Sequence, residues 1–334
     1  MAKIVTLGEL LMRLSPPGHE RFAQASRFDV IFGGGEANVA ASIAMLGHDA
    51  EFVTKLPDNP VAHGAAGYLR RSGVRTDNIV YGGNRMGVYF FESGASVRPS
   101  AVIYDRAGSS FSEAETSDFD FTKIFKGADL FHISGITPAV SDKCALLAET
   151  ALKTAKNSGI TISFDINFRR KLWNTEKASG VLPNLVRYAD ICFANSWDAA
   201  NLLGVDVDEN APFDEGAHKM SEKYGFRYVI ASERTSRSAS SNDYSAMIYS
   251  HEDGCVYRSR KYTIDSIVDR VGTGDAFAGG VLCGILDGKD CLNAVEFGTA
   301  AAVLKHTIPG DISCITRAEV EALAEGSGSL RVQR

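Results

Sequence analysis

The sequence predicts an α/β fold built on a parallel sheet, and two observations carry that expectation. Short apolar runs alternate with longer amphipathic stretches along most of the chain, the pattern of strand–helix–strand crossovers. The composition is that of a globular protein, with 334 residues of which 45% are hydrophobic and 23% charged. A chain of this length buries roughly three quarters of its surface on folding and needs no disulfide or metal to hold it.

Taken in order, segments 3–10 and 50–56 read as strands on either side of a helix at about 36–46. Segment 130–134 is the next strand, followed by a helix over 141–157 and a strand at 160–165. Helical patterns at 175–188 and 213–224 lead into strands at 190–194 and 228–232. The last third turns helical, at 274–286, 292–305 and 317–324, and the tail from 326 to 334 is expected to fray. Two stretches break the rhythm. Segment 13–32 mixes polar and apolar residues around Pro16–Pro17–Gly18. Segment 87–105 holds two runs rich in Val, Tyr, Phe and Ile around a turn-like centre, which predicts an inserted hairpin. Such a hairpin is either an edge elaboration of the main sheet or a lid over a site at the strand ends. Tyr89, Tyr104 and Arg106 would give it a polar face and favour the lid.

Charge and cysteine usage narrow the function classes. A net charge of −6, from 35 Lys+Arg against 41 Asp+Glu, argues against a nucleic-acid or membrane-surface binder, which usually carries a basic excess. The six cysteines are scattered with no C-x-x-C, the pattern of reduced thiols in a cytoplasmic protein. The first ten residues read into a strand and lack the layout of a signal peptide. The longest apolar run, 276–286, has 11 residues where a bilayer span needs roughly 20.

The strongest local signal is DRVGTGDAFAGG from Asp269 to Gly280, opening an apolar helix. Gly272, Thr273 and Gly274 stand where successive backbone N–H groups and a helix dipole together form an anion hole for a phosphoryl group. Asp275 at the same helix entrance has two readings. It either caps the helix or takes a proton from a hydroxyl attacking a bound phosphate. Competing nucleotide motifs are absent. The sequence contains no G-x-x-x-x-G-K-[ST] loop, no H-R-D-L or D-F-G, and no H-E-x-x-H. Gly33-Gly34-Gly35-Glu-Ala-Asn38 fails the dinucleotide-fold spacing because Asn38 occupies the place of the third glycine.

Together the two glycine motifs resemble the N- and C-terminal signatures of the ribokinase-like (pfkB-type) sugar kinases, in the right order and some 230 residues apart. The resemblance covers nearly the whole chain. It implies one kinase domain over 1–325, a three-layer α/β/α sandwich with a small β-sheet lid built from about 13–32 and 87–106, and ATP-dependent phosphoryl transfer. Within the family the residues are most similar to the branch acting on 2-keto-3-deoxygluconate, whose acceptor carries a carboxylate. An arginine fork matches a carboxylate bidentately.

That resemblance implies substrate contacts at Gly34, Tyr89, Tyr104, Arg106, Arg169, Asp275 and Asp311, with Asp275 as general base. Read alone, Asp311 is a turn residue and Arg169 a surface ion pair. The implied ATP-binding residues are Asn167, Arg169, Asn195, Ser232, Gly272, Thr273 and Gly274. Mg²⁺ is implied near Asn195 and Asp198 through water. Asp198 is a departure, because many relatives carry the longer glutamate there. K⁺ activation is common in relatives; Asp269 would be the cation-side residue, but Val271 offers only a backbone carbonyl, and the ion stays open. Partners would be the sugar acid, ATP and a second copy pairing through the lid sheet, with no nucleic acid and no membrane. Three other readings stay open: a fructokinase- or ribokinase-like neutral-sugar kinase, a non-catalytic sugar-acid sensor, and a nicotinamide-dependent dehydrogenase.

Overall fold

Runs of Val, Ile, Leu and Phe form the central sheet in a computed structural model describing residues 1–326; the tail from 327 onward lies outside the described residues. The chain opens with β1 (Lys3–Leu7), β2 (Leu11–Ser15), β3 (Asp29–Gly33), α1 (Gly35–Met45), β4 (Asp49–Leu56), α2 (Pro60–Arg71) and β5 (Ile79–Tyr81). The hairpin of β6 (Gly87–Glu92) and β7 (Ala101–Asp105) follows, then α3 (Phe121–Ile124), β8 (Leu130–Ser134), α4 (Ile136–Val140) and α5 (Asp142–Asn157). Next come β9 (Thr161–Asp165), α6 (Thr175–Val186), β10 (Ile191–Phe193), α7 (Ser196–Asn201) and α8 (Phe213–Tyr224). The chain ends with β11 (Tyr228–Ser238), β12 (Ser241–Ser250), β13 (Cys255–Arg258), β14 (Tyr262–Ile264), α9 (Thr273–Leu286), α10 (Cys291–Lys305) and α11 (Arg317–Ala324).

The large sheet runs β13-β12-β11-β10-β9-β8-β1-β4-β5, with β14 also on β12. Every pairing from β5 to β11 is parallel. Strands β12, β13 and β14 join antiparallel, which corrects the expectation of a parallel sheet to a mixed one. The physical reason is local: no helix lies between β11 and β14, and a tight turn can only return the chain antiparallel. Strand β8 is buried along its whole length, as a strand covered on both faces must be. Val5, Phe131 and Ile133 pack with Leu147 and Ala151 of α5 on one face. On the other, Ile4 and Leu130 pack with residues of α1, α9 and α10. Those two cores make the structure an α/β/α sandwich.

Helix α9 lies against both α1 and α10, and its residues from Ala276 to Gly284 are all buried. That explains why its sequence is apolar all round rather than on one stripe. Its fixed packing sets the position of its N-terminus, which lies beyond the C-terminal ends of the parallel strands, where open α/β sheets bind ligands. No helix among the described residues is long and apolar enough to cross a membrane.

A second sheet of four strands has the order β3-β2-β6-β7. The expected strand over 3–10 in fact stops at Leu7, and the chain re-enters a strand at Leu11 on this other sheet. Alternation gives the sheet two distinct faces. Leu11, Tyr89 and Phe91 form a small cluster with Tyr104 and with Val271, just ahead of α9. The opposite face carries Val30, Leu14, Phe90 and Ile103 in register across all four strands.

An ionic knot joins the two sheets. One guanidinium nitrogen of Arg13 on β2 meets Asp269 Oδ2 and Asp311 Oδ1, each at 2.8 Å. Arg13 also lies over the Phe91 ring at 4.2 Å and bonds Ser15. Arg13→Met removes the cation that both buried carboxylates touch and is expected to cost about 3–5 kcal/mol of stability, read as a lower urea midpoint at unchanged slope.

Candidate active site

A cleft of about 960 Å³ lies between the four-stranded sheet and the N-terminus of α9. At its rim, the β6–β7 loop touches the β11–β12 turn, with Ala239 N–H donating to Ser96 O at 2.7 Å. The candidate anion hole is built from backbone. Gly272 is the N-cap of α9 at φ +79° with no side-chain cap. A Cβ at Gly272 would lie 1.9 Å from the Asp311 carbonyl oxygen, so this glycine is required by backbone conformation and by close approach. Gly274 faces open space, so a side chain there would meet only what occupies the cleft. Among the described residues, the N–H groups of Gly274 and Asp275 have no carbonyl acceptor. They are the unpaired donors expected at a helix start. Thr273 turns its hydroxyl to the Arg270 carbonyl at 3.0 Å.

Asp275 does not cap the helix. Its Oδ2 accepts from Asn38 Nδ2 at 2.7 Å, which ties the first glycine motif to the second. Burial at the cleft floor pushes its carboxyl up to about 7, against the pull of Asn38 and of Arg169. Asp165, at the end of β9, is likewise pushed up to about 7, first by burial and then by the Asp275 charge. It holds Asn167 through Asn167 N–H and Nδ2, at 3.0 and 3.2 Å, and Asn167 sits at φ +36°.

Asn195 and Asp198 form a reciprocal capping box at the start of α7: Asp198 Oδ2 accepts the Asn195 N–H, and Asn195 Oδ1 accepts the Asp198 N–H. Burial raises Asp198 to about 6. One carboxylate oxygen stays free of this box. No group of three or more His, Cys, Asp or Glu side chains among the described residues is placed to hold a metal ion by itself. Ser232 lies on β11 at the cleft edge, beside Arg234.

Of the expected substrate contacts, the structure sets several against protein partners. Tyr89 OH donates to Asp311 Oδ2 at 2.5 Å, and burial holds its phenol well above the usual range. The other Asp311 oxygen belongs to Arg13. Arg106 is paired with Glu9, its Nε at 2.7 Å from Oε2, and Ser109 donates to the same carboxylate. Gly33 and Gly34 have no room for a Cβ because of protein atoms: the Asp311 carboxylate and the Glu9 carbonyl lie within 2.3 and 2.1 Å of where it would be. The tyrosine hydroxyl of Tyr104 and the guanidinium of Arg169 remain open in the cleft. Arg169 and Arg234 meet no carboxylate at ion-pair distance among the described residues, and Arg170 lies over the Trp197 ring at 5.5 Å.

Glu9, Arg13, Asn38, Asp165 and Arg234 are the site residues that the sequence reading did not assign. Only Asn38 and Asp165 carried a signal, since one sits within the glycine motif and the other four residues before Arg169.

The chain matches the family described as pfkB family carbohydrate kinase over residues 1–318. It is 33% identical over 325 residues to a 2-dehydro-3-deoxygalactonokinase of Haloferax volcanii, covering 97% of each chain. It is 28% identical over 315 residues to a 2-dehydro-3-deoxygluconokinase of Bacillus subtilis, covering 92% of this chain and 90% of that one. The crystal structure of a 2-dehydro-3-deoxygluconokinase from Thermotoga maritima resembles it with a TM-score of 0.93 at 48% identity, covering 98% of this chain and 100% of the other.

Asn38 donates to the charged form of Asp275, so removing the donor disfavours ionisation. Asn38→Leu is expected to raise the Asp275 carboxyl pKa, seen as an upward move of its carboxyl-carbon NMR titration; an unmoved titration would contradict the geometry.

Proposed function

We propose, from the premise that the chain belongs to the pfkB family of carbohydrate kinases and is therefore a phosphotransferase, that it moves the γ-phosphoryl group of ATP to the terminal hydroxyl of 2-keto-3-deoxygluconate. The product is 2-keto-3-deoxy-6-phosphogluconate. The observation that carries the reading is the charge pattern of the cleft. Arg13 and Arg106 are neutralised by buried carboxylates, whereas Arg169 stands open beside Asp275. An anionic acceptor supplies the missing partner, and a neutral sugar does not. The relatives named above act on acids that share this carboxylate.

In this mechanism Arg169 and the Tyr104 hydroxyl orient the acid with its terminal hydroxyl toward Asp275. Asp275 takes the hydroxyl proton as that oxygen bonds to the γ-phosphorus. The bond from phosphorus to the β–γ bridging oxygen breaks, and its electron pair leaves with ADP. The open N–H groups of Gly274 and Asp275, at the positive end of α9, stabilise the charge on the phosphoryl oxygens. Ser232, Asn167 and Arg234 line the nucleotide side. Tyr89 and Asp311 act at one remove, by holding the four-stranded sheet to α9. That sheet serves as the lid that excludes water.

Asn195 and Asp198 fit a divalent cation held through water, since Asp198 keeps one oxygen outside its capping box. Mg²⁺ usually retains several waters and takes few carboxylates. When bound, it neutralises phosphate charge. The apolar row Val30–Leu14–Phe90–Ile103 on the outer face of the small sheet, with Val30 and Ile103 more than half exposed, supports a second copy of the chain as partner. Sedimentation equilibrium reads that state.

An ADP-release assay with 2-keto-3-deoxygluconate and Mg-ATP tests the reaction. Asp275→Asn is expected to lower kcat by on the order of 10²–10⁴ while leaving the Kd for ATP within about threefold. Turnover of the variant at the wild-type rate would remove Asp275 as the base.

A further inference from the structure

Lys305 joins Arg13, Asp269 and Asp311 in a buried group of four charges: the residue after it, His306, accepts the Asp269 N–H at 3.3 Å, and the three other charges act on its ammonium. Lys305, the last residue of α10, has no exposed surface, and its ammonium donates to Ile308 O at 2.9 Å. Arg13, Asp269 and Asp311 are 3%, 7% and 2% exposed. Both Asp269 oxygens are engaged by the protein: Oδ1 accepts the Val271 N–H at 2.9 Å, and Oδ2 accepts the Gly310 N–H at 3.1 Å and Arg13. Asp311 gives one oxygen to Arg13 and the other to Tyr89. Two cations and two anions sum to zero, so no net negative charge is left to hold a further positive ion.

The sequence resemblance left a K⁺ ion open, with Asp269 as its side-chain neighbour and Val271 offering only a carbonyl, and the residues present do not fit it. We propose that the Lys305 ammonium is the built-in monovalent cation of this site, and that phosphoryl transfer in this protein is independent of K⁺. An ammonium carries the same charge as K⁺ at a similar size, and on a side chain it cannot dissociate. From behind the 269–272 turn its field favours the anion that the α9 N-terminus receives. Burial pulls the Lys305 pKa down, and the charges of Asp269 and Asp311 pull it back up. This inference rests on the kinase reading above, but its test does not depend on the sugar being correctly identified.

Initial rates are measured at constant ionic strength and constant Mg²⁺ in KCl, NaCl and tetramethylammonium chloride, and the thermal midpoint is measured in the same salts. The wild type is expected to show rates within twofold across the three salts and a midpoint that K⁺ does not raise over tetramethylammonium. Lys305→Met leaves one uncompensated buried negative charge. It is expected to lose at least tenfold in rate in tetramethylammonium and to recover several-fold in K⁺, with a midpoint that K⁺ raises. Activation of the wild type fivefold or more by K⁺, or a wild-type midpoint raised by K⁺ specifically, overturns the assignment. So does a folded Lys305→Met that gains no response to K⁺. If that variant does not fold, the two wild-type measurements decide alone. Absence of turnover on the sugar acid in every salt would instead count against the substrate, and the midpoints would still decide the cation question.

Discussion

The cleft depends on one guanidinium. Arg13 comes from the small sheet, Asp269 from the turn ahead of α9 and Asp311 from the segment after α10. Among the described residues this bridge is the one ion-paired link that ties β2 to both the turn ahead of α9 and the segment after α10, beside the Tyr89–Asp311 hydrogen bond and the apolar contacts around Leu11, Phe91 and Val271. Desolvating three charges costs about as much as their attraction returns, so the knot adds little to net stability. What it contributes is position. Tyr89 extends the network to β6 through Asp311, and the Asp311 backbone presses on Gly272 closely enough to exclude any side chain. The small sheet and the N-terminus of α9 are thereby held in one geometry.

The same logic sorts the cleft by charge. Burial raises Asp165, Asp198 and Asp275 toward neutrality, which favours proton acceptance near neutral pH. Arginines close to the lid strands are already paired, Arg106 with Glu9 and Arg13 with its two aspartates. Arg169 on the loop after β9 and Arg234 on β11 are not. A chain with an overall charge of −6 therefore presents local, unpaired cations where two anionic substrates must meet. Desolvation makes each such contact stronger than it would be in open solvent.

Much of this was legible before any coordinates. Strand 130–134 and the helices at 213–224 and 317–324 have the bounds read from periodicity, because their apolar spacing and end residues agree. Asp275, Gly272 and Arg169 do lie on one cleft. Strands β2 and β3 were hidden because one face of the small sheet carries Arg13 and Ser15 where a strand pattern shows apolar residues. The polar run 232–241 concealed the long β11–β12 hairpin, whose far end is exposed. Most of the pairings that give the site its character were beyond reach. Arg106 meets Glu9 across 97 residues, and Arg13 meets Asp311 across 298. No local pattern marks such contacts, so the sequence left Arg106 and Arg169 as equivalent carboxylate ligands. Only the fold shows that one is occupied and the other open.

The central claim is that selectivity for an acid resides in the unpaired Arg169. Its most direct test is the ratio of kcat/KM for 2-keto-3-deoxygluconate to that for fructose, a neutral ketose, in the wild type and in Arg169→Ala. Loss of a charged hydrogen-bond partner is worth about 1.5–3 kcal/mol, so the ratio is expected to fall by roughly 10- to 150-fold, almost wholly through the acid. A ratio unchanged by the substitution, or one that falls only because fructose improves, would contradict the account.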